Sequence, residues 1–527
     1  MSRRIVELGR NAWREVAAQD SGVLIDARDY YCAFYESAAA ARHSILVSGW
    51  QFDSGVPLLR GDDAPADAEV RFLDYLNGLC QLKPELHVYI LAWDFHFVLA
   101  AEREWLQRVY FDWMTSPRFR FLFDDCPVVG GSHHQKFAVF DGRHGFLGGM
   151  DVCEARWDDR CHRAENPLRL TRGKPDKPYH DVQAWLAGRE AASALQDLFR
   201  ERWRCADGEA LELAPADDRP VRRPRGLLPF GPARVALSRT EPQVDGDTVR
   251  EVERLFVDAI ERAERLLYLE TQYFSSRRIC DALIARMSDP GRTRLEIVVV
   301  VNQRAEALKE EVAVGLRQAE NLQRLREIAT STGHALGIYY SLCDGVSEQF
   351  RTTYIHSKVT LVDDRFVTVG SANLTNRSMG TDSELHVSWE TADERDTPGL
   401  ARAVRRVRVS LLAEHAGLRG FTEVRRLARR DGLVARLEEI AARPDARLQR
   451  HGAATAGQAA LIDVIDPQVL PGDPDTTPLE EAAADDVADE PVDEARPGRL
   501  ALGDTVQSLW GYFRDNTFPL VRSYKRT

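Results

Sequence analysis

The chain has 527 residues, of which 44% are hydrophobic and 29% are charged, a composition typical of a soluble globular protein with room for two or three domains. Its formal net charge is −12, and twelve acidic residues between 451 and 495, a stretch without Lys or Arg, account for all of it. The remaining body is therefore close to neutral. This argues against a nucleic-acid reader, which normally carries a surplus of basic charge.

The termini and the cysteines give further expectations. The first residues contain charges but no apolar core of a signal peptide, and no run of about 18 apolar residues is present, so we expect neither a leader nor a membrane span. Eight cysteines occur without a CxxC pair. This pattern argues against a zinc site and favours free thiols in a reducing compartment, so we expect a cytoplasmic protein.

The first half of the chain predicts alternating helices and strands. Apolar periodicity predicts a helix over 26–43, a strand over 44–50, a helix over 68–81 and a strand over 87–95. The second half has the same order after a Pro-rich stretch, 207–245, that resists helix. Its predicted elements are a helix opened by a possible capping box at Thr248–Glu251, a strand over 266–274, a helix over 279–287, a strand over 295–302, a helix over about 304–330, and Arg-rich helices over 400–450. Two halves with one element order indicate an internal duplication of an α/β unit.

Each half contains one copy of a shared motif. The first copy runs from Gly131 to Asp151 and the second from Tyr354 to Asn373. In both, a His is followed two residues later by a Lys and seven residues later by an Asp. These residues are His134, Lys136 and Asp141 in the first copy, and His356, Lys358 and Asp363 in the second. A Gly follows seven residues after each Asp, at Gly148 and Gly370.

The motif reads as a buried strand with its chemistry on one face. Residues i and i+2 of a strand share a face, so each His and Lys pair points toward one site. The pairs Gly148-Gly149 and Gly370-Ser371 allow close approach of the backbone.

These residues resemble the phospholipase D superfamily, whose signature is HxKxxxxD twice per active site, and are closest to phospholipase D proper. Further segments that resemble phospholipase D are Gly148–Asp159, Tyr179–Gly188, Tyr268–Phe274 and Gly370–Glu384. The resemblance covers most of residues 20–420. It implies an α/β fold of two duplicated lobes, each a mixed sheet flanked by helices, in a pseudo-twofold arrangement with one shared site.

The expected domain organisation follows from the resemblance and the composition. It comprises an N-terminal lobe over 1–206, a linker and lobe start over 207–245, a C-terminal lobe over 246–450, an acidic disordered segment over 451–498, and an aromatic and basic segment over 499–527. We expect the last segment to be either a terminal helix docked on the body or an interfacial membrane anchor.

Phosphodiester transfer needs a nucleophile, an acid for the leaving oxygen and cations around the phosphoryl oxygens. Two His and two Lys supply all three, so no metal or cofactor is expected. One imidazole would form a phosphohistidine, and the other would protonate the leaving alcohol and then activate the acceptor. The resemblance implies His134 as nucleophile and His356 as general acid/base, with Asn373 assisting the lysines, although the near-symmetry of the motifs leaves that order open.

Several residues are expected to support this chemistry. By resemblance, Asp181 and Glu384 are candidates to orient the imidazoles, the alternative being plain structural salt bridges. Asp141 and Asp363 belong to the catalytic motif but end their strands before turns, so we expect them to fix loops. The substrate-binding or orienting set is completed by Gly149 and Ser371.

Other polar and aromatic residues near the motifs have open roles. Asp151 replaces the Asn of many superfamily nucleases, and we expect it to be turned away from phosphate or bonded to Arg156 or backbone. His133 and His180 are expected to be structural. The aromatic residues Trp93, Phe95, Phe97 and Trp105 are expected either in the core or at an acyl-chain entrance.

The resulting hypothesis is a bacterial-type phospholipase D or phosphatidyltransferase that acts on glycerophospholipid at a membrane surface, with no nucleic acid partner. The alternatives are a nuclease of the same superfamily, a cardiolipin or phosphatidylserine synthase-like transferase, and an inactive scaffold. A cardiolipin synthase would usually carry N-terminal membrane spans, and intact motifs argue against the scaffold.

Overall fold

Two β-sheets form the framework of the chain. The computed structural model describes residues 4–66, 69–94, 111, 115–125, 128, 131–207, 209–216, 219–243, 247–304, 314–345, 347, 349–391 and 397–452. In the first half the elements are β1 (Arg14–Ala18), β2 (Asp20–Ile25), α1 (Asp26–Ala40), β3 (Ser44–Gly49), α2 (Phe72–Leu82), β4 (His87–Trp93), β5 (Phe119–Asp124), β6 (Phe137–Phe140), β7 (His144–Gly148), β8 (Leu170–Thr171), β9 (Lys174–Pro175), β10 (Tyr179–His180), β11 (Val182–Ala187) and α3 (Arg189–Asp207).

The second half continues with the same alternation. Its elements are β12 (Leu228–Pro229), β13 (Ala233–Glu241), β14 (Val249–Arg250), α4 (Glu251–Glu261), β15 (Leu266–Glu270), α5 (Arg277–Ser288), β16 (Glu296–Val300), α6 (Leu316–Thr332), β17 (Ala335–Ser341), β18 (Tyr354–Ile355), β19 (Val359–Val362), β20 (Phe366–Gly370), α7 (Asn376–Gly380), β21 (Glu384–Glu390), α8 (Pro398–His415), α9 (Phe421–Arg426), α10 (Leu433–Ala441) and β22 (Leu448–Arg450).

The two sheets repeat one topology. The first sheet contains the order β2-β11-β7-β6-β3-β4-β5, and the second contains β13-β21-β20-β19-β15-β16-β17. In each sheet the last three strands are parallel to one another and the other neighbours are antiparallel. The chain is thus a duplicated mixed α/β fold, in which β6 of the first lobe corresponds to β19 of the second.

The core lies in three layers that follow from strands buried on both faces. One cluster packs α1 and α2 on the outer face of the first sheet, and another packs α4, α5 and α6 on the outer face of the second. A third cluster contains apolar residues from both sheets together with α3 and α8. The facing sides of the two lobes therefore share one apolar core, which holds the two motif strands in a fixed relation.

The stretch 207–245, predicted as a linker and lobe start, contains the longest strand of the second sheet. β13 pairs with β1 on one side and β21 on the other, and Val235 and Leu237 are fully buried. Pro229 and Pro232 precede this strand. Proline disturbs pairing only at its own position, so composition averaged over the stretch hides the strand. The position at which the lobes divide stays a prediction.

The predicted capping box at the start of α4 is wrong. Arg250 is the residue before the helix, and Val249 and Arg250 pair with β13. The Glu251 carboxylate accepts the backbone N–H of Arg239 at 2.9 Å instead of closing a box. Strand pairing therefore replaces the local cap.

No helix within the described residues has both the length and the apolar character needed to cross a bilayer. The seven cysteines that the structure describes are free thiols. The acidic segment 451–498, apart from its first two residues, and the whole of 499–527 lie outside the described residues. Residues 305–313 of the helix predicted over about 304–330 lie outside them as well.

Candidate active site

The two motif strands place their histidines where the lobes meet. Each His and Lys precedes a four-residue strand, β6 or β19, in the middle of its sheet. The backbone N–H of His134 donates to the carbonyl of Ser383 in the second lobe at 3.0 Å. The backbone N–H of His356 donates to the carbonyl of His180 in the first lobe at 2.9 Å. Each motif is thus anchored to the opposite lobe.

Each imidazole contacts a buried carboxylate from the opposite lobe. The Nδ1 of His134 lies 3.1 and 3.0 Å from the two carboxylate oxygens of Glu384. The Nδ1 of His356 lies 2.6 Å from Oδ2 of Asp181. A Nδ1–H donated to a carboxylate fixes the tautomer, so that Nε2 is the free nitrogen of both rings. Glu384 and Asp181 therefore contact the imidazoles directly.

The electrostatics of the two pairs differ. Burial alone would raise the pKa of Glu384, but the charge and hydrogen bond of His134 bring it down to about 2. Burial raises the pKa of Asp181 to about 6. Burial and the neighbouring charge of Lys358 lower the pKa of His356 well below its ordinary value. His356 is therefore neutral, and binding of an anionic substrate beside it would favour its charged form.

The lysine of the second motif lies among polar side chains of its own lobe. Burial, together with repulsion from Lys136, lowers the pKa of Lys358 to about 7. Its Nζ donates to Oε1 of Gln272 at 3.2 Å, and the side-chain N–H of Asn373 donates to the same oxygen at 3.3 Å. Gln272 lies in the segment Tyr268–Phe274, where the sequence assigned it no role. Its oxygen holds the ammonium and the carboxamide together.

Asp151 faces the first lysine. Its Oδ1 accepts the backbone N–H of Trp50 at 2.9 Å, which agrees with the predicted bond to the backbone. Its Oδ2, however, lies 3.4 Å from the Nζ of Lys136. The expected Arg156 partner is not the one observed, because that guanidinium stacks over the Tyr179 ring at 5.0 Å. A buried ammonium needs an anion nearby, and Asp151 supplies it.

The two motif aspartates lie at the far ends of their strands, away from the lysines. Asp141 accepts the backbone N–H groups of residues 42–44 at 2.8–3.2 Å. Asp363 accepts those of residues 264–266 at 2.7–2.8 Å. Both have positive φ, 51° and 53°. They fix the start of β3 and β15 in equivalent ways. These contacts agree with the predicted loop-fixing role and not with the predicted grouping among the catalytic residues.

The two small residues of the site allow close packing on the orienting carboxylates. A Cβ added to Gly149 would lie 2.2 Å from Oδ1 of Asp181, so only glycine fits there. The hydroxyl of Ser371 donates to Oε2 of Glu384 and accepts the backbone N–H of Leu385 at 3.1 Å. Both residues therefore support an orienting carboxylate.

The other histidines and the aromatic residues singled out from the sequence lie in different surroundings. His133 is bonded to Ser383 Oγ through Nδ1 at 2.9 Å. Trp93 is buried and stacks on Trp50. The aromatic residues Phe95, Phe97 and Trp105 lie outside the described residues. His180 has more contacts than a structural strand residue needs, because its ring meets three carboxylates.

One family model and several curated proteins are similar to this chain. Residues 256–397 match the family described as "Cardiolipin synthase, PLD-like domain". The chain is 24% identical over 460 residues to "Phospholipase D A" of Dictyostelium discoideum, covering 75% of this chain and 35% of that protein. It is 23% identical over 518 residues to "Phospholipase D alpha 1" of Cynara cardunculus, covering 73% and 63%.

The chain therefore spans between about one third and two thirds of the length of these two relatives. Among solved structures, the phosphatidylserine synthase of Haemophilus influenzae matches at 17% identity with a TM-score of 0.49, over 81% of this chain and 94% of that one.

Proposed function

We propose that this chain, which belongs to the phospholipase D superfamily, cleaves or exchanges the phosphodiester bond of glycerophospholipids through a phosphohistidine intermediate. The observation that carries the proposal is the reciprocal exchange of carboxylates between the lobes. Glu384 and Asp181 each bond the Nδ1 of an imidazole from the other lobe. This leaves two Nε2 atoms for one substrate, as a double-displacement reaction requires.

In the first step, Nε2 of one imidazole attacks phosphorus and the bond to the head-group oxygen breaks. The other imidazole gives its Nε2 proton to that oxygen. Family resemblance makes His134 the nucleophile and His356 the acid. Burial and the neighbouring cationic charges lower the pKa of His356, and the anionic phosphodiester offsets those charges. This allows His356 to hold the proton in the substrate complex.

In the second step, the deprotonated His356 removes a proton from water or an alcohol, which attacks phosphorus. The phosphorus–nitrogen bond then breaks and the free imidazole returns. Lys136, Lys358 and the carboxamide of Asn373 stabilise the charge on the phosphoryl oxygens in both steps. Any alcohol that reaches the intermediate replaces water, so hydrolysis and phosphatidyl transfer share one mechanism.

The proposed substrate class is supported by the two named relatives, both of which are called phospholipase D. Such a substrate lies in a lipid bilayer, so we propose that the protein acts at a membrane surface. The near-neutral body and the acidic segment disfavour a nuclease, because a polyanionic substrate would be repelled by that segment.

The test is incubation of the full chain with phosphatidylcholine vesicles and ethanol, followed by mass spectrometry of the lipids. The expected product is phosphatidylethanol, absent with His134→Asn and retained with His144→Asn, a buried histidine outside the site. Cleavage of plasmid DNA without any lipid product would support the nuclease instead. Absence of both activities would contradict the proposal and support an inactive scaffold.

A further inference from the structure

A second cluster of titratable side chains lies between the lobes, outside the phosphate site. It consists of Asp26 at the start of α1, His162 in the loop after β7, His180 of β10 and Glu414 near the end of α8. All four side chains are at most 2% exposed. One potential ligand atom of each lies within 4.8 Å of the corresponding atom of every other. Four donors converge on one point.

The distances define which atoms face that point. Nε2 of His162 is 3.0 Å from Oε1 of Glu414 and 3.5 Å from Oδ2 of Asp26. Nδ1 of His180 is 2.7 Å from the same Oε1 and 3.0 Å from Oδ1 of Asp26. The donor set is therefore two imidazole nitrogens and two carboxylates, a set that suits a tetrahedral divalent ion.

Each of the two histidines also contacts an outer carboxylate through its other ring nitrogen. Nε2 of His180 is 2.8 Å from Oε1 of Glu270, and Nδ1 of His162 is 3.0 Å from Oδ2 of Asp158. With a proton on each of these nitrogens, the opposite nitrogen presents a lone pair to the cluster. Such carboxylate–histidine pairs are the usual outer support of metal-bound imidazoles.

Two atoms at the centre make no hydrogen bond of normal geometry within the described residues. Oδ2 of Asp26 and Nδ1 of His180 are fully buried, and they contact other members of the cluster at 2.7–3.5 Å. Buried polar atoms that face one another in this way need a proton or a cation between them. Asp26 and His162 also have left-handed backbone, with φ of 66° and 46°. Both residues are non-glycine, and strained backbone of this kind clusters at ligand sites.

The local charge has the sign that a cation requires. Four carboxylates contact these histidines, those of Asp26, Asp158, Glu270 and Glu414. Two guanidinium groups offset part of this charge, Arg160 against Glu414 and Arg169 against Asp158. With neutral histidines, two negative charges are left in the interior. A divalent cation would neutralise them.

We propose that Asp26, His162, His180 and Glu414 bind one divalent transition-metal ion, with zinc as the best match to two imidazoles and two carboxylates. Calcium and magnesium prefer all-oxygen sites and fit less well. A surface cavity of about 400 Å³ is lined by Arg160 and Glu414, so the cluster borders this cavity at Glu414. The cysteine pattern argued against a zinc site, but the site proposed here contains no cysteine.

The ion would have a structural role outside the phosphoryl-transfer step. Three of its ligands come from the first lobe. The fourth comes from α8, which follows β21 of the second sheet, so the ion would join the two lobes. His180 also precedes Asp181, the residue that holds His356. The proposal goes beyond the proposed function, and either can fail without the other.

The test begins with the metal content of the purified full chain, measured by inductively coupled plasma mass spectrometry after dialysis against EDTA. We expect about one zinc per chain in the wild type and in His144→Asn, and a loss of at least tenfold in His162→Gln and in Glu414→Gln. Wild-type protein with less than about one tenth of an ion of any transition metal, and no uptake on addition of zinc chloride, would overturn the proposal. Protonated histidines paired with the carboxylates would then hold the cluster together.

A second measurement does not depend on the variants folding. Protein stripped of metal under mild denaturation and refolded should gain about 5 °C or more in Tm on addition of zinc chloride, because an ion that binds only the folded state stabilises it. Substitution by cobalt(II) should give the intense visible absorption of tetrahedral coordination. An unchanged Tm together with a weak octahedral spectrum would contradict the assigned site.

Discussion

The contact between Glu384 and His134 gives the sharpest prediction on catalysis. Glu384→Gln keeps the shape and an acceptor oxygen but removes the charge that stabilises the imidazolium of His134. The pKa of Glu384 is lowered from the ordinary value of 4.5 to about 2. At 1.36 kcal/mol for each pKa unit, this lowering corresponds to about 3 kcal/mol. Burial opposes this shift, and hydrogen bonds from Ser371 and Ser378 contribute to it, so we assign about 2 kcal/mol to the histidine. The expected loss in kcat is therefore roughly 30-fold, with KM little changed.

The assay is phosphatidylethanol formation over a range of lipid concentrations, so that kcat and KM are separated. Glu390→Gln is the matched control, because Glu390 is a buried carboxylate on the same strand that bonds Arg365 and the backbone of Ile5 and Val6. It should lower stability and leave kcat within about twofold. Wild-type turnover in Glu384→Gln, or an equal fall of kcat in Glu390→Gln, would refute the positioning role.

Three further predictions follow from the same site. His134→Asn should abolish turnover, whereas His356→Asn should allow a slow first step and accumulate the covalent intermediate. The intermediate should be seen as radiolabelled phosphate that stays on the protein in alkali and is released by acid, as expected for a phosphorus–nitrogen bond. Label on His134→Asn protein would reverse the assignment. Gly149→Ala should lower kcat at least tenfold, because its Cβ would displace the Asp181 carboxylate 2.2 Å away, while Gly173→Ala on the surface should not; equal kinetics in both would show that this close approach is unimportant.

Burial lowers the pKa of His386 from 6.5 to about 4, and its ring nitrogen accepts a backbone N–H. The unfolded chain therefore binds the proton more tightly, so this contribution to stability is complete above pH 6.5 and is lost as pH falls toward 4, about 3 kcal/mol in all. Urea unfolding should show a smaller loss between pH 7 and 4.5 in His386→Gln, and identical slopes would contradict the neutral imidazole.

The duplicated fold and the convergence of the motifs were predictable because both are written in short, regular patterns. A His two residues before a Lys must share a strand face, and apolar residues after it must be buried. The loop-fixing role of Asp141 and Asp363 followed from their place at strand ends. These inferences need only local sequence.

The rest depends on long-range pairing that no local pattern encodes. β13 lies in a Pro-rich stretch and becomes a strand only because β1 and β21 flank it. Asp151 meets Lys136 rather than Arg156 because tertiary packing directs Arg156 onto Tyr179. The buried cluster at His180 draws its members from four distant positions, so its residues have no spacing to detect.

The central claim is that one phosphorus atom is held between imidazoles of the two lobes. A crystal structure of the wild-type chain with orthovanadate, a mimic of the pentacoordinate phosphoryl group, tests it most directly. We expect one bound vanadate, with Nε2 of His134 and Nε2 of His356 on opposite sides of the same vanadium and both lysines on its equatorial oxygens. A vanadate bound by one motif alone, or two ions at separate motifs, would contradict it.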